Sequence, residues 1–213
     1  MSDTGLVLYD HPVSSNALKV RFLLAELGLS CEKVHVPFSW PRPETYTALN
    51  PFGRIPTLVD DDVVVGESNA ILRYIARRER RDDLYPREPA DQARVEWALD
   101  AWSTQVRPML MPAEAAALFH TDQEGGSGRP EDADQAAVAA ALGPAREALA
   151  LFERFIADNG TVLGTFTIAD CAVAPVLWRS YRLPLSLEGL PKVALLRETA
   201  TGRPAFRAAG PVA

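Results

Sequence analysis

Apolar positions change their period along this chain, and each change marks an element. Leu6-Val7-Leu8-Tyr9 is a short continuous apolar run, the pattern of a buried strand, and His11-Pro12-Val13 reads as the turn that closes it. From Ser14 the period lengthens. Val20, Leu23, Leu24 and Leu27 recur at helical spacing behind Ser14-Ser15-Asn16, which offer N-cap chemistry, until Gly28 stops the pattern. Strand returns at Cys31–Val36. Thr57-Leu58-Val59 and Val63-Val64-Val65 are β-rich runs on either side of Asp60-Asp61-Asp62, which predicts a hairpin. Ser68 to Arg78 is a helix with Ile71, Leu72 and Ile75 on its apolar stripe, and Arg77-Arg78-Glu79-Arg80-Arg81 is its solvated end. Before the hairpin, Asn50-Pro51-Phe52-Gly53 is a turn signal. Pro56 cannot donate to a ladder, so it suits a strand's first residue or a cis X-Pro turn.

A purely helical pattern follows. Asp82-Asp83-Leu84-Tyr85-Pro86-Arg87-Glu88-Pro89 separates it from the α/β pattern, giving an expected domain over 1–80, a linker over 81–89 and an all-helical domain over 90–213. Ala90 to Phe119 has helical spacing through Val95, Ala98, Leu99, Trp102 and Val106, and Pro108 and Pro112 are expected to kink or break it. Residues 121–135 are polar and glycine-rich, the composition of a linker. Ala136–Ala157 returns to helix, with Gly143-Pro144 marking a bend or a start. Thr167-Ile168-Ala169-Asp170 is a capping box, assigned to folding and not to chemistry.

Composition narrows the class. With 213 residues, 47% of them hydrophobic, the chain buries a sizeable core as one large or two small domains. The net charge of −6 leaves neither half basic, which argues against nucleic acid. No apolar run approaches the roughly 20 residues needed to span a bilayer, and Met-Ser-Asp-Thr-Gly lacks a basic leader region, so a cytoplasmic protein without a membrane partner is expected. Cys31 and Cys171 form no Cys-x-x-Cys motif, and His11, His35 and His120 have no ligand spacing. Neither a dithiol centre nor a metal site is expected.

Two motifs carry the candidate chemistry: Asn50-Pro51-Phe52-Gly53-Arg54-Ile55-Pro56-Thr57-Leu58 and, eight residues on, Gly66-Glu67-Ser68-Asn69-Ala70-Ile71. Alone, Glu67-Ser68 is a helix N-terminus, Arg54 a loop charge, and Ser14, Ser15 and Asn16 caps. In this order and spacing the chain resembles the cytosolic-type glutathione S-transferase superfamily, in its serine-dependent, bacterial theta/phi-like branch. The resemblance covers nearly the whole chain. It implies a thioredoxin-like α/β N-terminal domain followed by an all-α C-terminal domain, with glutathione as co-substrate.

Carried over by motif, the resemblance puts the backbone of Ile55, before Pro56, against the cysteinyl part of glutathione, and Glu67 and Ser68 at its γ-glutamyl end. Arg54 belongs to the same motif. Where many members place Lys, His or Gln before the Asn-Pro turn, this chain has Phe38-Ser39-Trp40-Pro41-Arg42-Pro43-Glu44. Arg42 is the substitute for binding the glycyl carboxylate, with Trp40 as an alternative indole donor or apolar wall. Ser14, two residues after Pro12, matches the branch's catalytic serine, and Ser15 stands where cysteine-dependent relatives carry their nucleophile. A serine hydroxyl beside a helix N-terminus stabilises a thiolate by a hydrogen bond and by the helix dipole, and the thiolate is the nucleophile. Ser14 is preferred as that donor over Ser15. Tyr9 is assigned to the core. Trp102, Gln105, Arg107, Met109 and Phe119 are candidates for the second-substrate pocket, and the substrate expected there is a small apolar electrophile. The alternatives are a non-catalytic binding or interaction protein and a glutathione-dependent isomerase. The resemblance also implies a homodimer.

Overall fold

The computed structural model describes residues 5–118 and 134–210. Its first half is a four-stranded sheet in the order β2-β1-β3-β4, built from β1 (Leu6–Asp10), β2 (Glu32–His35), β3 (Thr57–Asp60) and β4 (Val63–Val65). β1 runs parallel to β2, with Tyr9 opposite Val34, and antiparallel to β3, with Leu8 opposite Leu58. The β3–β4 pair is the expected hairpin, with Val59 opposite Val64. A parallel β1–β2 pair requires a crossover, and α1 (Ser15–Glu26) supplies it. With α2 (Glu44–Thr47) in the second connection and α3 (Ser68–Arg78) after the hairpin, this is the thioredoxin-like arrangement.

The second half is helical: α4 (Pro89–Ala101), a π-helical segment over Trp102–Val106, α5 (Arg107–Leu118), α6 (Gln135–Phe152), α7 (Ile168–Arg179), α8 (Pro191–Thr201) and α9 (Pro204–Ala208). The prolines do not break it where expected. α5 continues through Pro112, α6 continues through Pro144, and the irregularity lies in the π segment ahead of Pro108. A proline ring collides with the carbonyl four residues earlier. For Pro108 that carbonyl belongs to Thr104, inside the π segment, where the widened turn takes up the misfit. Phe119 and nearly all of the polar 121–135 stretch lie outside the described residues.

One hydrophobic core joins the halves. It runs from Leu6, Leu8 and Leu58 in the sheet through Phe22 and Leu23 of α1 to Trp102, Val176 and Phe206 among the helices. α1 is flanked by α3, α7 and α9. A helix enclosed in this way is buried around nearly its whole circumference, which explains why Lys19 and Arg21 are buried along with its leucines. The capping box on α7 forms as the sequence predicts. Asp170 accepts from the N–H groups of Thr167 and Val162, both at 2.8 Å, while the Thr167 hydroxyl accepts from Ala169 N–H at 3.2 Å.

A candidate active site where the two halves meet

The site begins at three backbone ends in the first half. Ser14 is the N-cap of α1, its Oγ accepting from the Ala17 N–H at 3.2 Å. This bond uses an oxygen lone pair and leaves the hydroxyl hydrogen for another acceptor, so the cap and a catalytic donor are compatible in one serine.

The second end is the loop before β3, where the Ile55–Pro56 bond is cis. Asn50 holds this loop. Its Nδ2 donates to the Arg54 carbonyl at 2.9 Å and to Thr57 Oγ1 at 3.0 Å, and the Tyr46 hydroxyl also donates to the Arg54 carbonyl. Because the β1–β3 ladder ends at Thr57, the backbone of Ile55 lies outside it.

The third end is the start of α3. Glu67 precedes it at φ 59°, a left-handed conformation that side chains other than glycine rarely adopt, and Ser68 is its first residue. Beneath them Lys19 Nζ lies 3.5 Å from Ser68 Oγ. Burial pulls the Lys19 amine down to about 7, the Arg107 and Arg179 charges add to that shift, and Glu67 and Glu114 oppose it.

From the helical half come α5 and the end of α7. Glu114 of α5 is 0% exposed, and its Oε2 accepts from Arg107 Nη2 and Arg179 Nη2, each at 2.8 Å. Arg179 also donates to Ser15 Oγ at 2.8 Å and to the Val13 carbonyl at 2.9 Å, so it ties α7 to the start of α1. Burial lowers its pKa from the ordinary arginine value.

Between these elements is a cavity of about 360 Å³ lined by Ser14, Ser15, Asn16, Phe38, Arg42, Arg54, Ile55, Pro56, Glu67, Ser68, Arg107, Met111 and Arg179. Ser14, Arg42, Arg54, Ile55, Pro56, Glu67 and Ser68, named from the sequence for glutathione contact, all line it, and Trp40 does not. Arg42 does so while staking the preceding loop: it donates to the carbonyls of Pro37, Ser39 and Gly53 and lies 4.7 Å from the Trp40 ring. Trp40 itself is largely exposed.

The second-substrate candidates separate. Arg107 lines the cavity. Trp102 is a correction: it is 0% exposed and lies 5.0 Å from the Phe152 ring, in the core, because it continues the stripe of Ala98 and Leu99. Gln105 and Met109, four residues apart, share another helix face and line a separate groove with Trp97 and Leu151. Arg107 and Met111, also four apart, are the pair that reaches the cavity.

Lys19, Glu114 and Arg179 are absent from the sequence-derived site. In the sequence each is a charge beside apolar neighbours, Leu18-Lys19-Val20, Ala113-Glu114-Ala115 and Leu177-Trp178-Arg179, a pattern that does not say what surrounds it in the fold. Among the described residues, no group of three or more His, Cys, Asp or Glu could hold a metal ion, and no helix is long and apolar enough to cross a membrane.

A thioredoxin-like sheet domain joined to a helical domain, with a cavity at the junction, defines the class. The family model for the glutathione S-transferase N-terminal domain matches residues 4–77, and that for the C-terminal domain matches residues 135–208. The chain is 30% identical over 211 residues to glutathione S-transferase GstB of Escherichia coli strain K12, covering 95% of this chain and 96% of the relative. It is 28% identical to maleylacetoacetate isomerase of Pseudomonas aeruginosa, over 96% of this chain and 95% of that one. The theta class glutathione S-transferase of Xanthomonas axonopodis pv. citri, solved with glutathione bound, superposes with a TM-score of 0.85 at 26% identity, covering 99% of each chain. The chain belongs to the glutathione S-transferase family.

Proposed function

We propose that this protein binds glutathione in the cavity between its halves and transfers the glutathione thiol, as thiolate, to a small electrophile. The observation that carries the reading is the convergence on one cavity of the Ser14 cap, the cis Ile55–Pro56 loop and the Glu67-Ser68 start of α3. Glutathione is an extended tripeptide with a carboxylate at each end and a thiol between. The donor set suits it. Ser68 and the N–H groups at the start of α3 favour the α-carboxylate of the γ-glutamyl end, Glu67 favours its ammonium group, and Arg42 and Arg54 favour the glycyl carboxylate. The backbone of Ile55 pairs with the cysteinyl part, which sets the sulfur toward Ser14.

Ser14 then donates its hydroxyl hydrogen to the sulfur, and the N-terminus of α1 adds positive potential. Both favour the thiolate over the thiol. Attack forms the bond from sulfur to the electrophilic carbon, the displaced group leaves with its electron pair, and the thiol proton passes to solvent. Ser14, at the motif's position two residues after Pro12, is preferred over Ser15, whose Oγ accepts from Arg179 Nη2.

The test is steady-state turnover of an activated aryl chloride by wild type, Ser14→Ala and Ser15→Ala, with glutathione affinity measured by calorimetry. Ser14→Ala is expected to lower kcat/KM on the order of 100-fold while glutathione affinity stays within a few-fold, since an aimed donor acts mainly on developing charge. Full turnover in Ser14→Ala would remove the serine from the mechanism. Glutathione binding with no turnover across aryl halides, enones and epoxides would favour a binding protein of the same fold. A homodimer is part of the proposal and is checked by sedimentation.

A further inference from the structure

We infer that the second substrate carries an anionic group, a carboxylate or its equivalent, held by Arg107 from α5. This rests on the reading of the cavity as a glutathione site. Drug-sized ligand sites are lined mainly by apolar and aromatic side chains with a few placed polar groups. Here, among the described residues, the helical half lines the cavity with Arg107, Met111 and Arg179, so two of its three contributions are cations. Of the described apolar residues expected there for an apolar electrophile, Trp102 is in the core and Met109 is on the separate groove.

The two arginines differ in how their donors are used. Arg179 spends its guanidinium on Val13, Ser15 and Glu114. Arg107 donates Nη2 to Glu114 and to Met111 Sδ at 3.7 Å, while its Nε and Nη1 are buried with no hydrogen-bond partner. Its side chain is 12% exposed. Leaving charged donors buried and unpaired is costly, and a turn of the guanidinium toward the cavity to meet an arriving anion offsets that cost.

Charge accounting points the same way. Glu114 is one carboxylate shared between Arg107 and Arg179, which leaves a positive surplus on the helical wall although the chain as a whole carries −6. The glutathione carboxylates are taken up at Arg42, Arg54 and the start of α3 in the proposed pose. The helical-side surplus therefore serves the group attached to sulfur.

Binding of stable conjugates tests this without requiring turnover. S-(carboxymethyl)glutathione and S-(3-carboxypropyl)glutathione would each be titrated against the matching amide, with glutathione itself as reference, on wild type, Arg107→Gln and Arg107→Lys. The wild type is expected to prefer the acid over the amide by about tenfold or more at one or both lengths. Arg107→Gln is expected to bring that ratio near one, and Arg107→Lys to keep part of it. Equal binding of acid and amide by wild type, or a preference that survives Arg107→Gln, would overturn the inference. So would Arg107→Gln weakening glutathione and both conjugates alike, which would make Arg107 a reader of the tripeptide. Failure of wild type to bind glutathione would overturn the site reading and, with it, the inference.

Discussion

Glu67 enters α3 at φ 59°, where a Cβ is strained, yet glycine does not occupy the position. Strain of this kind persists only where the surroundings over-determine it, and it clusters at ligand sites. Here the turn places both Glu67 and Ser68 on the cavity wall. Replacement by glycine relieves the strain and removes the carboxylate, whereas replacement by alanine removes only the carboxylate. Glu67→Gly should therefore be more stable than Glu67→Ala by about 1 kcal/mol in urea unfolding, while both lose glutathione affinity in calorimetry. Equal stability of the two variants would show that the backbone there is unstrained. At this scale the site was legible wherever a local motif encodes backbone shape: the Asn-Pro turn, the X-Pro step and the helix-start serines were all readable. Lys19, Glu114 and Arg179 were not, because their roles depend on which helices meet. Trp102 was misassigned for the same reason, since helical spacing names a stripe without saying what the stripe faces.

The start of α7 shows how one element organises its surroundings. Asp170 is 0% exposed, and burial drives its carboxyl up to about 7 while backbone donors, those of Val162 and Thr167 foremost, hold it back. Thr167 supplies the cap alone, but Asp170 also holds the Val162 N–H in the loop before the helix. Removing a cap costs about 1 kcal/mol. Removing a buried acceptor also strands two donors, so Asp170→Ala should destabilise by about 2–4 kcal/mol, clearly more than Thr167→Ala. Matching losses in the two variants, measured by urea denaturation, would mean that Asp170 does no more than cap. The box was visible in sequence because it is local. The π segment was not, because Pro108 signals a misfit without saying whether the helix breaks at the proline or widens before it.

Across the whole molecule, burial of Lys19 between the halves couples stability to pH. An unfolded lysine titrates near 10.4, whereas in the folded chain burial first, and Arg107 next, pull Lys19 down to about 7. Between those values the unfolded chain holds a proton that the folded chain has released, so stability rises with pH there. The destabilisation due to Lys19 is full below about pH 7 and fades toward about pH 10. Lys19→Met should raise Tm at about pH 6.5 by an amount corresponding to a few kcal/mol, and by clearly less at about pH 9. An equal gain at both values would show that the amine keeps its ordinary pKa. The two-part architecture was legible from the change of hydrophobic period. The ionic seam joining the parts was not, since Arg179 and Ser15 lie 164 residues apart.

Ionisation of a bound thiol at this junction through Ser14 is open to direct measurement. The direct measurement is an ultraviolet pH titration of thiolate absorbance for glutathione bound to wild type and to Ser14→Ala. The expected midpoint in wild type is at least about one unit below that of a free thiol, near 8.5, with a return toward the free value in Ser14→Ala. The same midpoint in both proteins, or a wild-type midpoint at the free value, would contradict it.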